Sequence, residues 1–554
     1  MNLSIFGNRT IQFMKKLLLF SSLIICCAPI RSQVTFTDSN LPIMVINTLG
    51  GTIVDEPKIK AELGVIDNGP GQRNHLTDPH NGYDGFIGIE IRGSSSQGFP
   101  KKGYGLETRD AAGEDLDVAL LGLPEESDWV LHGPYSDKSL IRNALAYILA
   151  GEIMEYAPRV KMVELVINDE YQGVYLFTEK IKRDKNRIDI NKLDPDENEG
   201  DDLTGGYILK LDKTTGDPPG FPLFFVSNYP ANTPNMQEIW FLYEYPDPED
   251  ITNQQRAYVQ GSINDFEDVL HGEDYLDPQH GYKKYIDLQS FVDFLIINEV
   301  SKNVDGYRLS TFFYKDKDSK NPRWKMGPVW DFNLGFGNAD YCEGGITSGW
   351  AYDFNEYCPD DFWVINFWWD RMLTDPAFRL ALRDRWLALR QGQFSNVAIM
   401  QKIDSLTTML GESQFRNFQR WDILSEWVWP NNFVGNNYPA EVQYLKNWTT
   451  ARLAWLDQAI DELTPVSTPA PGADWQIYPN PAGSFAEILL DHPRSLPVSV
   501  DIFDNIGRKV RSMPWPGQEM RCRISTEGLA NGLWTVSVRG GDGRAGSRRI
   551  AVVR

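Results

Sequence analysis

Cysteine and histidine are scarce in this chain, which has five cysteines and six histidines among its 554 residues. No two cysteines have the CxxC spacing, and the histidines form neither an HExxH motif nor a cluster, so the sequence does not favour a zinc site. Basic residues are also in deficit, because 54 Lys and Arg stand against 76 Asp and Glu, for a net charge of −22. This charge argues against binding to nucleic acid or to an anionic membrane surface.

An apolar run long enough to span a membrane is lacking as well. The N-terminal run LLLFSSLIICCAPI, residues 17–30, follows Lys15 and Lys16 and is too short to cross a bilayer comfortably. We therefore interpret residues 1–32 as a signal peptide that is cleaved near Ser32. We expect no transmembrane segment in the mature chain.

The rest of the composition is typical of an ordered globular protein, with 42% hydrophobic and 12% aromatic residues. The length indicates roughly two to four domains. After the signal peptide three cysteines remain, Cys342, Cys358 and Cys522. The first two are near enough in the sequence to close one loop by a disulfide bond in an oxidising compartment.

Alternating apolar segments predict strands in the N-terminal part of the chain. Residues 85–92 (GFIGIEIR) and 103–110 (GYGLETRD) alternate, and residues 163–181 (VELVINDEYQGVYLFTEKI) predict a hairpin that turns at its Asn-Asp pair, with Glu179 near its end. A helix with Arg142 in its first turns is predicted between these segments. The region is therefore expected to be a small, mostly β unit.

The loop at residues 93–102, GSSSQGFPKK, is a candidate phosphate-binding loop. It can bring backbone N–H groups and the hydroxyls of Ser94–Ser96 close to phosphate oxygens, although an ordinary hairpin loop is the more common role of such a sequence. Lys101 and Lys102 would point to opposite faces of the following strand, and we favour Lys102 as the inward one. An inward ammonium would neutralise phosphate, whereas the alternative is a charge on an edge strand.

Two aspartates at predicted strand ends are the main candidates for chemistry. Asp305 precedes STFFYKD and Asp331 follows PRWKMGPVW, two segments whose β-branched and aromatic content predicts a hairpin. Loops at strand ends are where chemistry is commonly placed. From this stretch alone, both residues could equally be turn aspartates that cap the backbone.

The remaining chain divides by composition. Residues 184–265 contain turn-rich and acidic stretches, and we interpret them as an irregular insertion with surface loops. The periodicity of residues 285–302 predicts a helix, and helical segments continue to about residue 463. Residues 464–474, TPVSTPAPGAD, are a linker by their Pro and Ser content. Residues 475–554 alternate in short runs that predict a small β-sandwich.

Five segments, in a fixed order, resemble the CotH family of spore-coat-protein-H-type atypical protein kinases. They are IEIRGSSSQGFPKKGYGLETR, DWVLHGPYSDKSLIRNALA, VELVINDEYQGVYLFTEKI, VDGYRLSTFFY and VWDFNLGFG. The resemblance implies an α+β, two-lobed atypical protein-kinase-like domain at residues 33–463, followed by the small β-sandwich domain. Residues 86–183 would form the small lobe and residues 285–463 the helical lobe, with the nucleotide between them.

The resemblance also implies roles for individual residues. Asp305 would be the catalytic-loop carboxylate that accepts the hydroxyl proton or orients the nucleophile, and Asp331 would hold Mg²⁺ or Mn²⁺ on the phosphates of ATP. Ser310 and Asn333 stand where a kinase usually has Asn and a second acid, so they would be neutral oxygen ligands of the metal, which leaves a catalytically inactive kinase open. The nucleotide-binding residues that the resemblance implies are Ser94, Ser95, Ser96, Lys102, Arg142 and Glu179, the last of them near adenine.

The C-terminal segments YPNPAGSFAEILL, DIFDNIGRKV, GLANGLWTVSV and RRIAVVR resemble the type A sorting domain of the type IX secretion system. This resemblance implies that the type IX secretion machinery is a partner. The signal peptide would direct passage across the inner membrane, and export across an outer membrane would follow. The expected destination is the cell surface or the medium.

These observations leave three functions open. The leading one is a secreted protein kinase that transfers the γ-phosphoryl group of ATP to Ser or Thr hydroxyls of a protein substrate. The alternative is a catalytically inactive, kinase-like surface module that binds a protein or a polysaccharide. A glycosidase that uses Asp305 and Asp331 ranks last, because the small-residue loop and Lys102 have no role in such a reaction.

Overall fold

The computed structural model describes residues 34–215, 220–463, 475–490, 497–504, 508–515, 519–540 and 545–553. The predicted signal peptide and the predicted linker at residues 464–474 lie outside the described residues. What is described forms two compact units, divided after Ile460. Helices and strands are mixed in the first unit and the second is β-rich, in agreement with the predicted α+β class. Among the described helices, none is both long enough and apolar enough to cross a membrane.

The first unit begins with a closed barrel. Its strands and a small accompanying pair are β1 Asp38–Ser39, β2 Ile43–Asn47, β3 Ile59–Ile66, β4 Asn74–His75, β5 Tyr83–Arg92, β6 Gly103–Arg109, β7 Asp128–His132, β8 Val160–Ile167 and β9 Glu170–Glu179. The barrel order is β2-β3-β5-β6-β7-β9-β8, and β1 pairs with β4. Neighbouring barrel strands are antiparallel except β2 and β8, whose parallel pairing closes the ring. Alternate residues such as Ile87 and Ile89 fill the interior.

The β8–β9 hairpin turns where the sequence predicts it. Asn168 and Asp169 have φ angles of 48° and 62°. A two-residue type I′ turn requires positive φ at both positions, and Asn and Asp tolerate that conformation better than most residues. Glu179 is the last residue of β9, as predicted.

A five-stranded antiparallel sheet lies in the same unit. Its strands are β10 Tyr207–Leu211, β11 Phe224–Val226, β12 Trp240–Tyr245, β13 Thr311–Lys315 and β14 Lys325–Met326, in the order β11-β12-β10-β13-β14. The pairing of β13 with β14 is the hairpin expected between Asp305 and Asp331. Residues 184–265, predicted to be an irregular insertion, instead supply three strands of this sheet. Strand β10 lies in the strand-like segment GGYILKLD of this region, whereas β11 and β12 stand among turn-rich stretches that gave no clear strand pattern.

The helices that follow or interrupt the strands are α1 Arg142–Gly151, α2 Asn253–His271, α3 Leu288–Ser301, α4 Phe354–Tyr357, α5 Trp368–Leu373, α6 Pro376–Arg390, α7 Asn396–Leu410, α8 Ser413–Arg420 and α9 Tyr438–Leu463. Helix α3 is buried along nearly its whole length and packs against α1, α6 and β14. A mostly apolar helix that is buried on several sides requires such a central place, and its buried polar residues, such as Glu299 with Arg452, have partners there. Because α3 is fixed on several sides, the turn that follows it is held in a defined position.

The second unit has two antiparallel sheets. Its strands are β15 Trp475–Tyr478, β16 Phe485–Leu490, β17 Pro497–Phe503, β18 Lys509–Pro514, β19 Arg521–Ser525, β20 Gly532–Gly540 and β21 Ala545–Val552, in the orders β15-β16-β19 and β18-β17-β20-β21. Side chains from both sheets, including Ile488 and Val536, share one core. Cys522 is free and buried in that core, whereas Cys342 and Cys358 of the first unit form a disulfide bond with a Cα–Cα distance of 5.7 Å.

Candidate functional site

A cleft of about 590 Å³ lies in the first unit, between the barrel and the loops around the five-stranded sheet. Ser94, Ser95 and Ser96, from the loop after β5, form part of one side. The predicted catalytic and metal residues line the same cleft, namely Asp305, Ser310, Asp331 and Asn333. A volume of this size is typical of small-molecule sites. The fold thus brings together two groups of predicted residues that are more than 200 positions apart in the sequence.

The backbone of Asp331 is held in an unusual conformation by helix α1. Asp331 has a φ of 58°. Its N–H donates to the hydroxyl of Tyr147 at 3.1 Å, and the N–H of Phe332 donates to Asn143 Oδ1 at 2.7 Å. The carbonyl of Asp331 accepts a hydrogen bond from Asn303 Nδ2 at 3.2 Å. A left-handed conformation at a residue other than glycine persists only where surrounding contacts hold it, and such residues cluster at functional sites.

The electrostatics of the cleft act strongly on the Asp331 carboxyl. Desolvation raises its pKa to about 7, and the nearby carboxylates of Asp305 and Asp212 act in the same direction, whereas Arg92 and Lys213 oppose them. Like charges that converge on a desolvated carboxyl destabilise its ionised form. A bound cation would relieve this repulsion, so the arrangement favours a positive ligand beside Asp331.

Asp305 lies in the turn after α3 and is held by an ion pair. Its Oδ1 accepts a hydrogen bond from Arg308 Nη2 at 2.9 Å, and its N–H donates to Asn303 Oδ1 at 3.3 Å. Asn303 therefore contacts both aspartate segments, because its side-chain amide also donates to the carbonyl of Asp331. Asn303 thus links the backbones of the two aspartates that are predicted to act together.

A third carboxylate, Asp212, was missed by the sequence reasoning. Asp212 follows directly after β10, the strand beside β13, and it lines the cleft. Ser310, whose φ is 46°, lies within 3.5 Å of it, from Ser310 Oγ to Asp212 Oδ2. Desolvation raises the pKa of Asp212, and Asp305 adds to that rise. The signal that could have found it was an Asp at the end of the apolar segment GGYILKLD, the same signal that selected the other two.

The structure does not place Lys102 in the cleft. Lys102 Nζ donates to the carbonyl of Gln97 at 2.5 Å. This hydrogen bond is internal to the small-residue loop at residues 93–102, which it stabilises. Lys101 is the buried one of the pair, and its ammonium donates to the Val174 carbonyl at 2.6 Å and to Asn417 Oδ1 at 2.7 Å. The preference for Lys102 as the inward lysine was therefore wrong. The buried lysine is Lys101, and it faces helix α8 rather than the cleft.

Arg142 and Glu179 also lie outside the cleft lining. Arg142 is buried, and its Nη1 donates to Asp137 Oδ1 at 2.6 Å. Glu179 is buried against Arg159, whose Nε donates to Glu179 Oε2 at 2.9 Å. Neighbours of these residues, including Asn143, Thr178 and Lys180, line the cleft instead. The discrepancy is one of direction, because adjacent residues of a strand point to opposite faces and adjacent residues of a helix diverge by about 100°.

The donors in the cleft are chemically suited to magnesium or manganese. Carboxylate, amide and hydroxyl oxygens of Asp331, Asn333 and Ser310 are hard ligands of the kind these ions prefer. Among the described residues no group of three or more His, Cys, Asp or Glu side chains forms a ready metal cluster. That finding is compatible with Mg²⁺, which in phosphate-transfer sites is usually bound by one or two carboxylates together with water and substrate phosphates.

Comparison with protein-family models places the chain in a family. Residues 89–456 match the model described as CotH kinase protein, and residues 476–552 match the model described as secretion system C-terminal sorting domain. The first match spans well over half of the chain, and the chain belongs to the CotH kinase family. The second match implies export by a secretion machinery to the cell surface or the medium. No curated protein matches the chain.

Proposed function

We propose that this chain is an exported protein kinase that transfers the γ-phosphoryl group of ATP to Ser or Thr hydroxyls of a protein substrate. In this proposal the barrel is the small lobe, and the part that begins with α3 is the larger, mostly helical lobe. The observation that supports it most directly is that Asp305, Asp331 and the Ser94–Ser96 loop line one cleft of about 590 Å³. Phosphoryl transfer depends mainly on positioning and charge neutralisation, which a cleft with this lining can supply.

The roles follow from the positions of the side chains. Asp305, oriented by Arg308, would accept a hydrogen bond from the attacking hydroxyl and take its proton. Asp331, with Asn333 and Ser310, would hold Mg²⁺ or Mn²⁺. The ion would supply positive charge to the phosphate oxygens. The hydroxyls and backbone N–H groups of Ser94, Ser95 and Ser96 would contact the phosphate chain from the barrel side.

A second candidate is a kinase-like surface module without catalytic activity. Two observations favour it. Arg308 already occupies one oxygen of Asp305, and the residue two positions after Asp331 is the neutral Asn333 rather than an acid. Both reduce the negative charge available for a metal ion. In this case the cleft, or another surface of the unit, would bind a protein or polysaccharide partner.

The deciding experiment is incorporation of labelled γ-phosphate into a generic basic protein, and into the chain itself, with Mg²⁺ or Mn²⁺. The variants are Asp305→Asn and Asp331→Asn, with Asp265→Asn on the exposed side of α2 as the matched control. We expect each site variant to lose about a hundredfold or more in rate and the control to keep the wild-type rate. Catalysis would be refuted if the wild type, at high metal concentration, incorporated no more label than the two site variants.

Nucleotide binding separates the two candidates independently of the acceptor. A nucleotide present at about a hundred times its Kd stabilises a protein by about 2.7 kcal/mol. A kinase therefore predicts a clear rise in melting temperature with ATP and Mg²⁺ together. A surface module predicts none, with partner binding unaffected by nucleotide.

A further inference from the structure

The cleft lining includes an arginine with a guanidinium nitrogen that is unpaired within the part of the chain that the structure describes. Arg92 is the last residue of β5, directly before the Ser94–Ser96 loop, and it lines the cleft. Its Nη1 atom is buried and has no hydrogen-bond partner among the described residues. A buried guanidinium N–H without an acceptor is costly, because the desolvation of that group is not compensated. Because Arg92 lines the cleft, an anionic ligand bound there could supply the missing acceptor.

Aromatic stacking fixes the orientation of Arg92. The guanidinium lies over the ring of Trp330, with 5.4 Å from its carbon to the ring centroid, and Trp330 stacks on Tyr147 at 5.9 Å. The hydroxyl of Tyr147 accepts the hydrogen bond from the N–H of Asp331. Arg92 and Asp331 are thus held by the same stack of side chains. They interact electrostatically but do not form a direct ion pair.

Other cations around the cleft are less available. Lys210 pairs with Glu244 at 2.9 Å, and Lys180 lies 3.8 Å from Asp128. Lys213 lines the cleft and acts on Asp331 through its charge. It directly follows Asp212 in the sequence and is not adjacent to the Ser94–Ser96 loop, which we call the serine loop. Arg92 alone among these is continuous with that loop, where Gly93, with a φ of 108°, begins it.

We propose that Arg92 is the residue that binds the phosphate chain of the nucleotide, in the place that the sequence prediction gave to Lys102. This inference rests on the proposed function for the identity of the ligand, since a phosphate chain is the anion that a kinase cleft would receive. The planar guanidinium offers two parallel N–H donors to phosphate oxygens, which a lysine cannot do. The serine loop then covers the same oxygens from the other side.

The test compares Arg92→Gln and Arg92→Lys with wild type in binding to four ligands: ATP, ADP, adenosine and inorganic tripolyphosphate, each with Mg²⁺. The matched control is Arg109→Gln. Arg109 pairs with Phe86 at one end of the β5–β6 ladder, and Arg92 pairs with Gly103 at the other end. Binding is measured by calorimetry, and folding of each variant is checked by its melting temperature without ligand.

For Arg92→Gln we expect the affinity for ATP and tripolyphosphate to fall about tenfold to a hundredfold, while adenosine binds as it does to wild type. Arg92→Lys should recover part of the loss, because the charge is kept and the two-donor geometry is not. Arg109→Gln should leave all four affinities unchanged. If Arg92→Gln fails to fold, the comparison of Arg92→Lys with wild type tests the proposal instead. The proposal then requires Arg92→Lys to bind ATP more weakly than wild type and adenosine equally well.

The outcomes also separate this inference from the proposed function. If wild type binds ATP and Arg92→Gln binds it equally well, Arg92 is not the phosphate ligand and the kinase proposal stands. If wild type binds tripolyphosphate but not ATP, and Arg92→Gln weakens that binding, the anion site stands and the kinase proposal fails. If wild type binds neither ATP nor tripolyphosphate, both are overturned.

Discussion

Arg308 Nη2 donates a hydrogen bond to Asp305 Oδ1 at 2.9 Å, and its guanidinium also donates to the carbonyls of Val304 at 2.7 Å and Trp363 at 2.8 Å, with Asp361 Oδ1 at 3.4 Å. The arginine is only 3% exposed, whereas the Asp305 side chain is 18% exposed at the cleft. Because backbone carbonyls fix the arginine, it positions the aspartate rather than follows it. One oxygen of Asp305 is committed to this contact, and the other remains available to a ligand.

Replacement of Arg308 by alanine should therefore affect both stability and activity. Loss of one partner from a largely buried ion pair leaves the other uncompensated, and we expect the free energy of unfolding to fall by about 3 kcal/mol. Phosphate incorporation should fall as well, because Asp305 loses its fixed orientation. Urea denaturation and the incorporation assay measure the two effects. Arg323→Ala, at an exposed position between β13 and β14, is the control and should change stability by about 0.5 kcal/mol or less. Equal effects of the two variants would contradict the positioning role.

Replacement of Asp212 by asparagine should have opposite effects on the free and the metal-bound protein. Removal of a like charge near Asp331 relieves repulsion, so the melting temperature without metal should rise. The affinity for Mg²⁺ in the presence of nucleotide should fall about tenfold to a hundredfold, since the electrostatic support of the ion is reduced. A titration of melting temperature against Mg²⁺ measures both effects.

The control is Asp265→Asn, which is remote from the cleft and should change neither the melting temperature without metal nor the affinity for Mg²⁺. A lower melting temperature without metal, together with unchanged metal affinity, would show that Asp212 is structural.

Reduction of the disulfide bond should destabilise the first unit. Cys342 and Cys358 are 16 residues apart. Closure of a loop of this length reduces the entropy of the unfolded chain, and its loss costs about 3 kcal/mol. The double variant Cys342→Ser, Cys358→Ser and the wild type with reductant should show the same decrease in chemical denaturation. Addition of reductant to the double variant is the control and should have no further effect. A decrease in that control would assign the effect to another group.

The pH dependence of stability should reveal a buried carboxyl on α2. Desolvation raises the pKa of Glu267 from 4.5 to about 7. Its oxygens accept hydrogen bonds from Ser227 Oγ at 2.7 Å and Trp368 Nε1 at 2.8 Å. A carboxyl whose pKa is raised on folding remains protonated in the folded state while the unfolded chain ionises. Its stabilising effect is therefore complete below pH 4.5 and is lost as the pH rises to about 7, by a total of about 3 kcal/mol.

The variant Glu267→Gln isolates this contribution. The amide is neutral at every pH. Its oxygen can accept the hydrogen bond from Trp368 Nε1 and its NH2 group can donate one to Ser227 Oγ, so the variant should gain about 3 kcal/mol relative to wild type between pH 4.5 and about pH 7.5. Urea denaturation at several pH values measures the difference. Asp265→Asn, exposed on the same helix, should follow the wild-type profile. Parallel profiles for Glu267→Gln and wild type would contradict the raised pKa.

Much of the local structure could be predicted, because the determinants are local. The alternation in GFIGIEIR and GYGLETRD sets which residues enter the barrel, and the Asn-Asp pair of the β8–β9 hairpin suits the positive φ that its turn needs. The apolar periodicity of residues 285–302 likewise produced helix α3, and so placed Asp305 in the turn after it. By contrast, the sheet to which the strands within residues 184–265 belong depends on the pairing of β10 with distant β13, which no local pattern reports.

The sequence by itself determined the aspartates, the serine loop and the order of elements that carry the family resemblance. Only the tertiary structure decided which neighbouring side chain faces the cleft. Asn143 and Thr178 line the cleft, whereas their sequence neighbours Arg142 and Glu179 point elsewhere. Strand pairing places Arg92 and Asp212 in the cleft, whereas Lys102 bonds to the carbonyl of Gln97 within its own loop. Periodicity fixes which residues share a face, but not what that face meets. That is settled by packing between elements far apart in the chain, here α1, α8 and the strands that flank β13.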